Sequence, residues 1–463
     1  MSEENGVIEE RFAPPSDPVS GLPYTTDGLE GIGGFIKFTY SDFLVDEIPA
    51  YDPCGEGEHC YLLIEKRGLA MSDMLDIVAD HFGVKKDAIG YAGMKDKYAI
   101  TRQVVSVWTP GKQVEQFSEL RHDKLSVLWA DMHTNKLRVG HLKGNRFSVK
   151  IRGVQATKVV QAKAVMDRLA AEGIANYYGP QRFGTRLNNH EVGRAQIAGD
   201  YQRALDLLLG PDDRFPRLNT IMGEAYAAGD LERAFESLTP NQRAERTALK
   251  ALIGGRNAKQ AFNRVSVMQQ RFFFSAFQSH VFNQVLGERV RSGLLDRISE
   301  GDVAMKLGNH ACFPVGAEEL ATEEARTEID RRVHDFEISP TGPMWGPEMM
   351  HAQGGIDELE TRALHAMGVT LDEVSAHVKR MKSRLDGTRR AMRVPVKDVE
   401  IEGGIDERGH FVRCAFELPP GSFATTVMRE IMKDGPQEEP GTVLRSKPVP
   451  EDDEARDHDE DDR

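Results

Sequence analysis

The residue of this sequence best placed to do chemistry is Asp96, which sits between Lys95 and Lys97. Gly90, Ala92 and Gly93 precede it, and a strand-like run, Val104-Val105-Ser106-Val107-Trp108, follows. Small residues let the backbone turn tightly and let a ligand come close. The two flanking ammonium groups would favour the ionised carboxylate. A carboxylate held this way beside a rigid strand is a candidate nucleophile. The same residues also make an ordinary exposed turn of mixed charge, and read alone they favour that turn.

The elements around Asp96 read as a sheet. Phe35 to Phe38 and Phe43 to Val45 alternate like strands, and His59 to Glu65 reads as a buried strand. Ser72 is the expected N-cap of a helix whose apolar face is Leu75, Val78, Ala79 and Phe82, with Gly83 ending it. Phe147, Val149 and Ile151 alternate with Arg146, Ser148 and Lys150, as in a half-buried strand. A helix from about Thr157 to Glu172 begins at a Thr cap. After Gly184 the pattern turns helical, roughly Asn188 to Arg291. Within it, Phe272 to Phe282 predicts a buried helix, with His280 a core residue. Glu318 to Val333 reads as an acidic helix, and Ser339-Pro340-Thr341-Gly342-Pro343 as a turn. Strands return at Ala391 to Val396 and Val412 to Leu418, and Phe423 to Met432 closes as a helix. Sheet, then helices, then sheet predicts one sheet domain interrupted by an insertion.

Length and composition set the bounds. The 463 residues are enough for two or more domains with their own cores. No run of eighteen apolar residues occurs, so no membrane span is expected. Cys54, Cys60, Cys312 and Cys414 are scattered. Cys54, His59 and Cys60 lack the second close pair of a zinc site, so reduced thiols in a cytoplasmic protein are expected. The net charge of −14 disfavours a nucleic-acid partner only superficially. Residues 451 to 463 hold nine acids and two arginines, a net of −7, which leaves −7 for the rest. That tail has nothing apolar to bury and is expected to be disordered. Local basic segments in the body remain able to bind phosphates.

The stretch Gly93 to Gln103 resembles the catalytic motif of the TruD family of tRNA pseudouridine synthases, Gly-x-Lys-Asp-x-x-Ala-x-Thr-x-Gln. Gly93, Lys95, Asp96, Ala99, Thr101 and Gln103 fill its fixed positions. Further family-like segments follow in order: Asp42 to Ile48, Lys136 to Phe147, Asn176 to Gly184, Arg393-Val394-Pro395 and Leu418 to Thr425. The resemblance runs from about Gly34 to about Lys433. It implies an α+β fold: a pseudouridine-synthase-like catalytic domain with a central, mostly antiparallel sheet, interrupted by a largely helical inserted α/β TRUD domain. The expected boundaries are a flexible arm over 1–33, the catalytic domain over 34–170 and 386–440, the insertion over 171–385, and a disordered acidic tail over 441–463.

The resemblance also implies the chemistry. A uridine of tRNA, at position thirteen of the D arm, would have its C–N glycosidic bond broken, its base turned and rejoined through carbon. No metal, nucleotide or redox cofactor is expected, and a monomer is expected. Asp96 takes the nucleophile's role. Whether it adds to the base or acts on the sugar is left open. The target must leave its stack to be reached. Phe147 matches the position that stacks on it, and Asn145 the position that organises the loop. Lys37 matches a basic position beside the carboxylate, and Phe43, Glu47 and Lys95 line the pocket. The candidates for phosphate contact are Lys143, Arg146, Arg182, Arg186, Arg389 and Arg390, with Arg393 and the run Lys379 to Arg384 beside them. Two rivals stand against this reading. One is a non-catalytic RNA-binding or folding protein on the same scaffold. The other is a glycosidase, which needs a second catalytic carboxylate, for which Glu47 is the candidate.

Overall fold

The computed structural model describes residues 17–212, 214, 220–381 and 385–433. The expected acidic tail, the first sixteen residues of the expected arm, and Lys382, Ser383 and Arg384 lie outside the described residues. The described chain is α+β and divides into two compact units. One holds residues 26–174 and 395–433, and the other 17–25 and 175–394.

The first unit is built on an eight-stranded sheet. Its strands are β1 (Phe43–Pro49), β2 (His59–Arg67), β3 (Ile89–Tyr91), β4 (Ile100–Trp108), β5 (Leu125–His133), β6 (Leu142–Arg152), β7 (Lys397–Asp406) and β8 (Gly409–Leu418). They run in the order β7-β8-β6-β1-β4-β2-β5, with β3 also on β4. Only β1 and β4 pair in parallel; the other pairs are antiparallel. Side chains alternate between faces along a strand. Register therefore puts Val45 and Glu47 of β1, Asn145 and Phe147 of β6, Thr101 and Gln103 of β4, and Lys66 of β2 on one face. The opposite face carries the charges Asp46 and Glu65, both half-buried, and the exposed Arg102, which bonds Glu65 at 2.8 Å.

Two strands share one side of β4. β1 pairs with Ile100 to Arg102, and β3 with Val105 to Val107. The Val104 amide lies where one partner gives way to the other, and it donates to Glu47 Oε1 at 3.2 Å. The link from β3 to β4, residues 92–99, is the segment that carries Asp96.

Helix α1 spans Met71–Phe82 and ends at Gly83, whose φ of 65° is the left-handed conformation glycine favours. Ser72 is not its cap. Ala70 holds that position, and the Ser72 hydroxyl donates to Asp73. Met71 and Met74 are buried in the core beneath the sheet, which draws the start of the helix past the serine. Helix α2 spans Val159–Glu172. A single 3₁₀ turn, Ala156–Lys158, takes up Thr157, so no threonine cap forms. Helix α3 spans Ala424–Met432. Residues 26–33, expected as part of a flexible arm, are tied to it. Thr26 gives its amide and hydroxyl to Glu430, and the Ile32 and Gly33 amides bond the carbonyls of Ile431 and Met432.

The second unit centres on a 25-residue helix, Val267–Arg291, which buries Phe273, Phe274, Phe277 and Phe282 completely or nearly so. Shorter helices between Tyr201 and Phe262 form a core of their own around Leu205, Leu249 and Phe262. A four-stranded sheet joins Cys312–Pro314, Val303–Lys306, Ile338–Met344 and Thr388–Ala391. The expected turn at Ser339 to Pro343 is therefore a strand, with every residue buried. Its prolines lack amides, and other groups complete the bonding. Pro340 accepts from the Met392 amide at 2.9 Å, Ser339 Oγ accepts from the Arg393 amide at 3.1 Å, and the Thr341 hydroxyl donates to Val303.

Candidate active site

The strands beside the Asp96 loop pack closely where glycines leave room. A Cβ on Gly90 would come within 2.2 Å of the Leu137 carbonyl oxygen, and one on Gly144 within 2.5 Å of that of Leu418. Asp96 turns its carboxylate back on its own loop, Oδ1 accepting from the Tyr98 amide at 3.0 Å. The other oxygen is held by the Lys37 ammonium. The Asp96 side chain keeps 27% of its surface exposed, so the carboxylate is held and still reachable.

Lys37 reaches it from an unusual backbone. Its φ of 62° is left-handed, a conformation that costs a non-glycine residue and marks sites of function. Its side chain is buried and lies 4.4 Å from the centre of the Phe43 ring. Burial pushes the Asp96 carboxyl up. Lys37, its hydrogen bond, the Tyr98 amide and Lys66 together outweigh that and hold it below the usual aspartate range.

The sequence neighbours of Asp96 do not supply this field. Lys95 turns away to Glu47 and Asn145. It hydrogen-bonds Asn145 Oδ1 at 2.5 Å and approaches Glu47 Oε2 at 2.7 Å as an ion pair, off the angle of a directed hydrogen bond. Lys97 is exposed, 5.9 Å from the Tyr98 ring. The expectation that the flanking lysines ionise Asp96 is thus corrected. The cations that do so come from Lys37 and from Lys66 on β2.

The sequence-predicted residues form two connected groups. Lys37, Asp96 and Phe43 make one; Glu47, Lys95 and Asn145 make the other. Phe147 packs edge-on to Phe43 at 6.4 Å and against Phe416 at 5.7 Å, leaving 7% of its surface exposed. Lys66 escaped the sequence reading. It falls just past the run His59 to Glu65 that reads as a buried strand, and nothing in its spacing ties it to Asp96.

The basic candidates separate by burial. Lys143 is exposed. Arg146 bonds Glu400 at 2.6 Å and lies near Glu417. In the second unit, Arg186 and Arg389 are buried and committed internally, which corrects their assignment to phosphate contact. Arg186 bonds the Gly210 carbonyl at 2.7 Å, and Arg389 clamps Glu360 at 2.6 and 2.7 Å. Arg393 is likewise buried, on the Val333 carbonyl. Arg182 and Arg390 lie half-buried near the Tyr178 ring, 5.2 and 4.1 Å from its centre, bonded to Ser279 and to Asn176. Lys379 and Arg380 are exposed at the end of the helix Leu371–Met381.

Known proteins match this chain over nearly its whole described length. The family model for tRNA pseudouridine synthase D (TruD) matches residues 20–431. The tRNA pseudouridine synthase D of Geotalea daltonii is 41% identical over 414 residues, 89% of this chain and 99% of its own. That of Thermus thermophilus is 35% identical over 431 residues, 93% of this chain and 96% of its own. A crystal structure from Methanosarcina mazei, provisionally assigned as tRNA pseudouridine synthase D (TruD), superposes with a TM-score of 0.72. It is 26% identical and covers 93% of this chain and 98% of its own. Spanning almost all of these relatives, the chain belongs to the tRNA pseudouridine synthase D (TruD) family, whose members are isomerases.

Proposed function

We propose that this protein converts a uridine of tRNA, at position 13 of the D arm, to pseudouridine, with Asp96 as the nucleophile. The observation that carries this reading is the Lys37–Asp96 pair. It is an ionised, partly exposed carboxylate, held by a buried cation beside an aromatic wall. The reaction breaks the bond from C1′ of the ribose to N1 of uracil and forms a bond from C1′ to C5. The proton lost from C5 is balanced by one gained at N1. Either addition of the carboxylate to the base or its action on the sugar calls for the anion, and Lys37 keeps it in that form.

The surrounding residues take positioning roles in this reading. Phe43 and Phe147 offer ring surface to a base drawn out of its stack. Asn145 braces the loop from β6 through Lys95, with Glu47 as the counter-charge of Lys95. Lys143, Arg146, Arg182 and Arg390 are the remaining candidates for the RNA backbone.

The test is pseudouridine formation, mapped to the nucleotide, in total tRNA treated with wild type and with Asp96→Ala. Product at one D-arm uridine with wild type alone is the expected result. Product at another uridine keeps the reaction and rejects the position. No product with either protein, despite tight tRNA binding, favours a non-catalytic RNA-binding protein.

A further inference from the structure

Lys66 is a fully buried lysine, 0% exposed, on the same face of the sheet as Glu47 and Asn145. Its ammonium donates to two main-chain carbonyls, those of Asp96 at 2.6 Å and Leu69 at 2.9 Å. It makes no ion pair among the described residues, whereas the other two lysines of the site, Lys37 and Lys95, each have a carboxylate. A buried ammonium without a carboxylate is costly, and an amide side chain would satisfy two carbonyls without that cost. Such a group is informative when it faces a reacting residue.

Two consequences follow from the geometry. The bond to the Asp96 carbonyl fixes the main chain from which the nucleophile projects. The bond to Leu69 anchors that point to the turn between β2 and α1, where the Gly68 amide also bonds the Ala99 carbonyl at 3.2 Å. The Asp96 loop is thereby tied to the sheet at both ends of its carboxylate-bearing turn. The charges facing this cluster are Lys37, Lys66 and Lys95 against Asp96 and Glu47, three cations to two anions. The unmatched cation is Lys66.

We propose that Lys66 is a positioning residue of the isomerase site: its ammonium clamps the Asp96 main chain, and its charge adds to that of Lys37 in favouring the Asp96 carboxylate. The inference rests on the reading of Asp96 as nucleophile. Burial lowers the Lys66 ammonium to about 8, opposed by the attraction of Asp96 and reinforced by the repulsion of Lys95. The charge is therefore present at neutral pH and is lost above about pH 8.

The test compares Lys66→Met, Lys66→Gln and Lys66→Arg with wild type on tRNA. A misplacement of about 1 Å can cost about 100-fold in rate, so a fall in kcat of about 10- to 100-fold is expected for Lys66→Met, with KM for tRNA within about threefold. Wild-type kcat falls as pH rises through about 8, and this alkaline limb is absent in Lys66→Met and in Lys66→Arg. Wild-type kcat in folded Lys66→Met, or an unchanged alkaline limb, overturns the proposal. Should Lys66→Met not fold, Lys66→Gln keeps the donors and loses the charge. Equal kcat for the Gln and Arg variants then overturns it. Carbon-13 NMR of the Asp96 carboxyl gives a readout free of activity. Its titration moves up in Lys66→Gln, and no movement overturns the proposal. If wild type makes no pseudouridine at all, the functional reading falls, while this titration still decides whether Lys66 governs Asp96.

Discussion

Lys37 and Asp96, fifty-nine positions apart, form the ion pair on which the candidate site is built. The lysine is held in a left-handed backbone conformation with its side chain buried over Phe43, so its ammonium has little choice of direction. A cation already in place needs no rearrangement when the carboxylate reacts.

Removing that cation exposes its effect on pH dependence. In wild type the Asp96 carboxyl titrates below the usual aspartate range, so activity that needs the anion persists down to that depressed value. In Lys37→Met, burial acts on the carboxyl with only Lys66 and the Tyr98 amide opposing it, so the acid limb of kcat moves to higher pH. The sign for stability is the same. A depressed carboxyl stabilises the fold above its unfolded value and loses that contribution as pH falls through the folded one. Lys37→Met should therefore flatten the acid side of the stability profile. A pH series of single-turnover rates and urea midpoints checks both. An acid limb unmoved by the substitution would separate Lys37 from the ionisation of Asp96.

Arg389 and Lys143 make a contrasting pair of basic residues. Arg389 is buried on Glu360, whose carboxyl burial pushes up in spite of the arginine. Arg389→Ala leaves that carboxylate uncompensated, at a cost of about 3–5 kcal/mol in stability. The loss grows with pH, because a carboxyl raised by burial holds its proton at low pH and must give it up or destabilise the fold at high pH. The salt dependence of tRNA binding by the folded fraction should not change. Lys143 is exposed, and Lys143→Ala should leave stability intact while lowering the salt slope of tRNA binding by about one unit. Denaturant titration and binding across a salt series distinguish the two. A reduced salt slope in Arg389→Ala would return Arg389 to the RNA surface.

How far the sequence could be read depended on the range of the interactions. Alternation gave the strands around Phe43 and Phe147, because a strand's faces are written two residues apart. The TruD-like motif pointed to Asp96 itself. Its electrostatic partners were harder to find, since local charge suggested Lys95 and Lys97 while the fold delivers Lys37 and Lys66. Burial was invisible too. Arg182, Arg186 and Arg389 look alike as basic residues near glycines, yet Glu360 and the Gly210 carbonyl take two of them into the interior. Ser339 to Pro343 misled for a related reason. Its prolines signal a turn, but hydroxyls and carbonyls from neighbouring segments supply the bonds a strand needs.

Glu47 tests whether the site has one working carboxylate or two. Its side chain is 1% exposed, with one oxygen on the Val104 amide and the other on the Lys95 ammonium. A second catalytic carboxylate must reach a substrate oxygen or a water, and this one is closed off on both sides. Its position suits a structural task instead, filling the place on β4 between β1 and β3 and holding Lys95 of the loop. Glu47→Gln keeps the acceptor for Val104 and turns an amide donor toward Lys95, which must then swing away or rely on Asn145 alone. Residues 92–99 should loosen, seen as faster amide exchange, and kcat should fall about tenfold as Asp96 loses its fixed geometry. The pH profile should keep its wild-type shape, because no proton of Glu47 is transferred. Loss of one limb of that profile in Glu47→Gln would instead make Glu47 an acid or base of the reaction.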